Sequence, residues 1–418
     1  MKSQEGDKST VSDDKSVTNS SQRAKGFVRR CPVCGANFGT SVGEICFETY
    51  ENTPVPGSFS LVICGACGFG FNDFPSLQTD FNNYYENDNF YLTSGTISVG
   101  GSICYEEKRL ESFAQRLAPY IPHSDSKIID VGCSRGGLLK FLAQRGFMQL
   151  YGVDPNPTCV AHIKEKLGFE AAVGSAQLLP FADMRGDVLI YSHVIEHVID
   201  LKSLLSVARD RLSDDGIVCV EVPDASRYQE GSVLPFQSLY LEHVNHFDSE
   251  TLVNLFHGKG FETVSLKLIS EKHSNRGEVP CVWAVFRKGS IQEPKKSDAI
   301  KNSLRDYMSW SNQHPLIEKL RMLSLKRVPI YVWGMAHYAM LLLGQTPLRS
   351  CNLAGFVDKD QYKQNRKVMK IPIQSPGILA NANQDDTVLI TAIGYEDQVI
   401  RDLECMGFAG NVLRLVEK

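Results

Sequence analysis

The sequence predicts an α/β protein in three parts: a small N-terminal module, a doubly wound core and a smaller C-terminal Rossmann-like domain. Three observations predict it. Two Cys-x-x-Cys pairs, "CPVC" and "CGAC", stand near the N-terminus. From Lys127 the chain alternates strand, glycine turn, helix and strand, the pattern of a parallel sheet covered on both faces. A second alternation of the same kind starts near residue 328.

Bulk properties narrow the class. At 418 residues the chain exceeds what one small core needs, and 43% hydrophobic with 22% charged residues is ordinary for a soluble globular protein. A net charge of −4 gives no electrostatic footprint for a nucleic-acid partner. No apolar run is long enough to span a bilayer, and the N-terminus lacks a signal peptide's apolar core, so we expect a cytoplasmic protein with no membrane partner. Of the twelve cysteines, Cys159, Cys219, Cys281, Cys351 and Cys405 sit singly among apolar residues, as reduced thiols do.

Taken in order, residues 1–26 hold almost no large apolar side chain and are expected to be disordered. Residues 27–80 form the metal module. Cys31, Cys34, Cys64 and Cys67 offer two thiolate knuckles that complete an S4 shell favoured by zinc, with Gly35 and Gly68 suited to the turns. Four ligands close the site, so the zinc is expected to be structural; Cys46 is read as core. Residues 81–126 combine a tyrosine-rich connector (Tyr84, Tyr85, Tyr91) with a helical stretch, "CYEEKRLESFAQRLAPYI". Residues 127–290 carry strands at "KIIDVG", "LYGVD", "GDVLIY", "GIVCVEVP", "FETVSLKLI" and "VPCVWAVFRK". Residues 291–327 are read as a linker and a long helical region from about Ala299 to Arg327, and 328–418 as the second α/β unit.

Chemistry concentrates in two places. In "KIIDVGCSRGGLLKFL" a strand runs through Asp130 into a tight turn at Gly132, Ser134 and Gly136, where small residues let backbone approach a ligand. The next strand ends in Asp154, placed to take both hydroxyls of a ribose; the absence of G-x-G-x-x-G gives no pyrophosphate cradle. The second place is "LYLEHVNHFDSETL", which packs Tyr240, Glu242, His243 and His246 into one loop after a strand. Alone, that loop fits a metal site, a catalytic base or a polar surface. His246 is read as packing, and Asp248 as the cap of the helix that begins at Ser249.

Residues 127–287 resemble the class I S-adenosylmethionine (SAM)-dependent methyltransferases. "DVGCSRGG" looks like their first motif, "GVDPNP" their ribose-binding strand end, "GSAQLLPFADMRGDVLIYSHVIEHVIDLKSLL" their third and fourth strands, and "RLSDDGIVCVEVPD" the fifth. The resemblance implies a SAM-binding Rossmann-like core. It places Asp130, Gly132, Cys133, Ser134 and Gly136 around the methionine end, Asp154 and Pro155 at the ribose, Ser175 and Ala176 near the adenine, and Ser192 and His193 beside the sulfonium. "GSAQ" lacks the acid that the family often has at the adenine.

Residues 28–418 further resemble a small group of nucleotide-sugar C-methyltransferases, which carry a four-cysteine zinc module, a tyrosine-rich connector, the methyltransferase core and a Rossmann-like tail. That resemblance implies a small-molecule partner, a nucleotide-linked keto-sugar, methylated at carbon after proton abstraction. It makes Tyr240, Glu242 and His243 the catalytic loop, His197 a second histidine facing the acceptor, and Tyr84, Tyr85 or Tyr91 a cover. The chain departs from the group at "VNHF" and in its tail, where Gly334 is present in "VWGMAHYAMLL" but Ala336 and Ala339 replace glycines and the lysine is missing; Asp358 keeps the look of a ribose acid. The rival readings are an O- or N-methyltransferase on a small metabolite, an RNA-modifying enzyme with a zinc ribbon, and a non-catalytic SAM-binding scaffold.

Overall fold

A computed structural model describes residues 26–87, 104–181, 184–272 and 278–416. The expected disordered tail (residues 1–25 of it), Tyr91 and the Tyr85 side chain lie outside what is described. Near the N-terminus, β1 (Gly39–Cys46), β2 (Ser58–Cys64) and β3 (Gly70–Asp73) form an antiparallel meander. The second Cys-x-x-Cys turn is its β2–β3 hairpin. Gly68 sits there at φ +83°, and a Cβ would collide with the Ser297 carbonyl, so no other residue fits. Helices α1 (Gln78–Asn87) and α2 (Cys104–Leu117) lead to the core.

The core alternates β4 (Ile128–Val131), α3 (Gly137–Ala143), β5 (Leu150–Asp154), α4 (Pro157–His162), β6 (Glu170–Val173), β7 (Gly186–Ser192), α5 (Leu201–Arg211) and β8 (Leu212–Pro223). A long loop then crosses the molecule, pairing for two residues as β9 (Asn245–His246), before α6 (Ser249–His257), β10 (Phe261–Lys272) and β11 (Glu278–Lys288). The seven-stranded order is β10-β11-β8-β7-β4-β5-β6, with β4 to β8 parallel and β11 antiparallel to β8. Because the chain leaves β4 toward β5 and returns to its other side as β7, the order reverses there, and a crevice opens at the carboxyl ends of these strands. The expected strands are all present. The short edge strand β6 had no alternating signal to announce it.

One expectation is corrected, and one pairing was not foreseen. The single long helical region is two helices, α7 (Ala299–Gln313) and α8 (Pro315–Lys326). Pro315 holds His314 in an extended conformation (φ −62°, ψ 137°), which ends α7, and the His314 side chain then accepts from Leu316 N to start α8. The N-terminal sheet is also not self-contained: β9, from the loop after β8, pairs with β3 through Gly70–His246 and Phe71–Asn245.

The C-terminal part holds β12 (Pro329–Trp333), α9 (His337–Gln345), β13 (Asn352–Val357), β14 (Lys367–Val368), β15 (Ile371–Gln374), β16 (Thr387–Ile390), α10 (Glu396–Cys405) and β17 (Asn411–Arg414), in a sheet ordered β14-β15-β13-β12-β16-β17 that is parallel except for β14. Strands β14 and β15 were not foreseen; at two and four residues they carry too little pattern. Asp358, at the end of β13, is already engaged by Met335 N (2.9 Å), Asp360 N (2.9 Å) and the buried Lys363 Nζ (3.0 Å). Lys363 thus pairs with this acid from within the same part of the chain.

One apolar cluster joins these parts. Ile45 and Phe59 of the N-terminal sheet, Leu234, Phe236 and Leu239 of the long loop, Tyr307 of α7, and Leu341 and Leu342 of α9 share it. Polar ties cross the same seam: Tyr338 Oη donates to Pro235 O (2.9 Å), and Glu48 N donates to Met340 O (2.9 Å). Leu341 is fully buried in it. Leu341→Ala should therefore cost about 2–5 kcal/mol, and urea unfolding of the variant should show the N-terminal and C-terminal parts losing stability together; a loss confined to the C-terminal part would contradict the shared core. No helix among the described residues is long and apolar enough to cross a membrane.

Candidate active site

The crevice begins at the turn after β4. Gly132 (φ +76°) donates to Val153 O, and a Cβ on it would press 2.6 Å from Val194 Cγ2. Ser134 also lies in the left-handed region (φ +49°); its N–H donates to Asp154 Oδ2 (2.8 Å), and its buried Oγ has no hydrogen-bond partner. Gly136 (φ +78°) begins α3, where a side chain would strike Ile163 and Leu167. Cys133 tucks its sulfur under Gly152, so only its backbone faces the turn. Asp154 also accepts from Asn156 N (2.9 Å), Pro155 is exposed beside it, and Ser175 closes a tight turn with Leu178 whose preceding Gly174 N donates to Asp154 O. Ala176 is buried in that turn. Asp130 lies beneath the turn, and burial together with the Asp154 charge pushes its carboxyl up to about 8.

A buried ion network lies next to it. Glu221, fully buried at the end of β8, accepts from Arg109 (2.8 Å) and Arg116 (2.9 Å) of α2. Burial would raise its carboxyl, but His193 and the two arginines outweigh that and hold it at about 2. Ser192 Oγ accepts from Arg109 (3.1 Å). His193 sits at φ +54°, with Nδ1 at 3.1 Å from Glu196 Oε1 and Nε2 at 3.4 Å from Glu221 Oε1. Burial opposes its charge, yet Cys281, Glu196 and Glu221 hold the imidazole well above its usual range.

The long loop meets this edge. His243 packs edge-on against His197 (centroids 4.7 Å, 90°) and lies tilted against Tyr240 (4.5 Å, 34°). Glu242 accepts from Tyr84 Oη of α1 at 2.8 Å. Burial raises the Glu242 carboxyl, with His197 and Tyr84 opposing; burial and the surrounding imidazoles hold His243 well below the usual histidine range, so it is neutral near pH 7. Tyr84, His197, Tyr240, Glu242 and His243 are therefore one constellation. His246 points the other way, its ring between Asn72 Oδ1 (2.9 Å) and Tyr228 Oη (3.0 Å), and Asp248 caps α6 in a capping box with Thr251.

Several residues that hold this arrangement were not anticipated. His337, the first residue of α9, stacks on Tyr240 (4.3 Å, 21°) and donates through Nε2 to Leu239 O (3.1 Å). Asn245 Nδ2 donates to Ile195 O (2.9 Å) and Val198 O (2.7 Å), which brings the turn bearing His197 to the loop bearing His243. Arg29 donates to Val244 O, Ile199 O and Asn245 Oδ1, at 2.8–3.0 Å. Glu196 lies in the quoted "VIEHVID", where its spacing of three from His193 was the available signal.

The four cysteines converge apart from this edge. Cys31 and Cys67 sulfurs are 3.6 Å apart, Cys34 and Cys64 3.5 Å, and all four lie within 4.8 Å of one another. Zinc bonded to four thiolates at about 2.3 Å sets its sulfurs about 3.8 Å apart, so the donor set fits.

Comparison with known proteins places a methyltransferase domain over residues 105–266. The chain is similar to the ubiquinone biosynthesis O-methyltransferase of Azorhizobium caulinodans, 33% identical over 105 residues; the match spans 24% of this chain and 41% of that relative's length. Among solved structures it is similar to the CcbJ methyltransferase from Streptomyces caelestis (12% identity, 43% of this chain and 90% of that one, TM-score 0.35). A SAM-dependent methyltransferase from Clostridium acetobutylicum gives 12% identity, 45% and 93% coverage, and a TM-score of 0.36. Residues 105–266 thus match a methyltransferase domain, whose methyl donor would be SAM. The left-handed turn at Gly132 and Ser134 fits such a donor. A cationic ligand favours the ionised form of Asp130, whose free carboxyl titrates at about 8. With SAM bound above Asp130, binding below that pH would release a proton, so SAM affinity is expected to rise with pH toward 8 and level off above it. Calorimetry in buffers of different ionisation enthalpy measures this; a flat profile, or one unchanged in Asp130→Asn, would place the titrating group elsewhere.

Proposed function

We propose that the chain transfers a methyl group from SAM to carbon on a small, nucleotide-linked keto-sugar, after a proton is removed beside the keto group. The observation that supports this reading is the meeting of Tyr84, His197, Tyr240, Glu242 and His243 at the carboxyl edge of the sheet. Bound SAM supplies an already activated methyl, so the protein's work is to position the acceptor and manage its proton. A carbon acceptor needs a true base. Glu242, whose carboxyl burial raises, supplies such a base together with the neutral His243 beside it, and Tyr84 and Tyr240 are placed to orient a carbonyl. Asp154 and the 132–136 turn would hold SAM's ribose and methionine ends, and the C-terminal Rossmann-like domain, through His337, closes the acceptor side.

One observation favours oxygen as the acceptor atom: the Azorhizobium relative is an O-methyltransferase. The two readings separate in one experiment, incubation with methyl-deuterated SAM and a panel of nucleotide-linked sugars, half of them keto-sugars. Label on the carbon next to the carbonyl supports enolate chemistry, with His243→Ala expected to lower kcat by about 10²–10⁴. Label on oxygen retires the C-methylation reading and keeps the enzyme.

The four cysteines are proposed to hold one structural zinc. Cys64→Ser should lose the metal and lower the melting temperature, because ligand binding free energy is folding free energy here. Full zinc content and unchanged melting in that variant would remove the zinc.

A further inference from the structure

We propose that Glu196, His197 and His243 form a second metal site, which binds a divalent first-row ion such as Mn²⁺, Fe²⁺ or Co²⁺ at the floor of the acceptor pocket. One ligand atom from each of the three lies within 4.8 Å of the others. The set is two imidazoles and one carboxylate, the combination that suits these ions and leaves positions open for an exogenous oxygen. Bonds of about 2.1 Å bring neighbouring donor atoms about 3 Å apart, so the three donors draw closer together when the ion binds.

A separate observation points to a ligand. Glu196 is fully buried, and while its Oε1 meets His193 Nδ1, its Oε2 has no hydrogen-bond partner. The Nδ1 of His243 is likewise buried without a partner. Two orphaned polar atoms in the same cluster, one of them on a carboxylate, are costly unless something enters to satisfy them. A cation satisfies both, and His193 already acts as the outer hydrogen-bond partner that fixes a ligating carboxylate.

The chain builds the site with fixed backbone. Glu196 and His197 are neighbours on one short 3-10 turn, Ile195–His197, and Asn245 ties both ends of that turn to the loop that carries His243. His197 and His243 are only half-buried, so the ion is open on the side lined by Tyr84, Tyr240 and His337. The consequence for catalysis rests on the acceptor-pocket reading above: the ion would hold and polarise an acceptor oxygen, His243 would serve as a ligand, and Glu242 would be left as the proton acceptor. Binding of the ion does not depend on that reading.

The test uses the full chain with its thiolate-bound metal retained, titrated with Mn²⁺ alone and read by electron paramagnetic resonance of the free ion. Mn²⁺ prefers oxygen and imidazole donors over the four-thiolate cluster. The expected result is one Mn²⁺ per chain, weakened at least roughly tenfold in both Glu196→Gln and His243→Asn, with melting temperature and SAM affinity showing that the variants fold. No Mn²⁺ bound up to millimolar concentration, or equal binding by the wild type and both folded variants, overturns the site. Labelled methyl transfer that survives removal of every divalent ion except the thiolate-bound one overturns its catalytic part and leaves the methyltransferase reading standing. Stoichiometric Mn²⁺ binding with no transfer to any sugar supports the site and defeats the acceptor reading instead.

Discussion

The site depends on the carboxamide of Asn245. It is almost wholly buried, and both of its polar ends are used: the amide donates to Ile195 O and Val198 O, and the carbonyl accepts from Arg29. Its own backbone belongs to β9, paired with β3. One side chain therefore joins three pieces that sequence separates widely, the knuckle region, the turn after β7 and the loop after β8. Hydrogen bonds of this kind contribute only about 1 kcal/mol each when made, but here the alternative is a cluster of buried carbonyls with nothing to meet them. Asn72 repeats the device from β3, giving its amide to His243 O and its carbonyl oxygen to His246.

Charge is managed by the same economy. Two arginines on α2 enter the core side of the crevice only because Glu221, Glu271 and Glu106 meet them there. A buried pair of this sort is weak evidence for stability, since desolvation offsets most of the attraction. Its effect is geometric: α2 is held against the ends of β7 and β8, where Arg109 touches Ser192, and His193 is drawn toward Glu196 and Glu221 instead of facing open solvent. The polarity of the crevice is thus set jointly by α2 and the carboxyl ends of β7 and β8.

Much of this was legible in the chain. Strands β4, β5, β7, β8, β10 and β11 announced themselves by apolar runs and turn residues, the glycine turn by its small residues, and the cysteine cluster by two spaced pairs. Tyr240, Glu242, His243 and His197 were readable as chemistry-bearing, and they do converge. What was not legible is long-range pairing. Nothing local marks Arg29, Asn72, Asn245 or His337 as partners of that loop, because each looks like an ordinary polar residue until the fold supplies its neighbour. The break at His314 was signalled by Pro315, and the helical periodicity on both sides of it concealed the signal.

His337 carries a consequence for how the protein comes into being. The loop at residues 239–246 is contacted by Arg29 from one end of the chain and by His337 from the other, across separations of 215 and 98 residues. Contacts of such range form late, since loop closure must precede any reward from them. A chain emerging from the ribosome can complete the seven-stranded sheet as soon as β11 has appeared, yet the face of Tyr240 remains bare until α9 follows. The crevice at the carboxyl ends of β4, β5 and β7 is thus assembled well before the loop at residues 239–246 acquires its last wall.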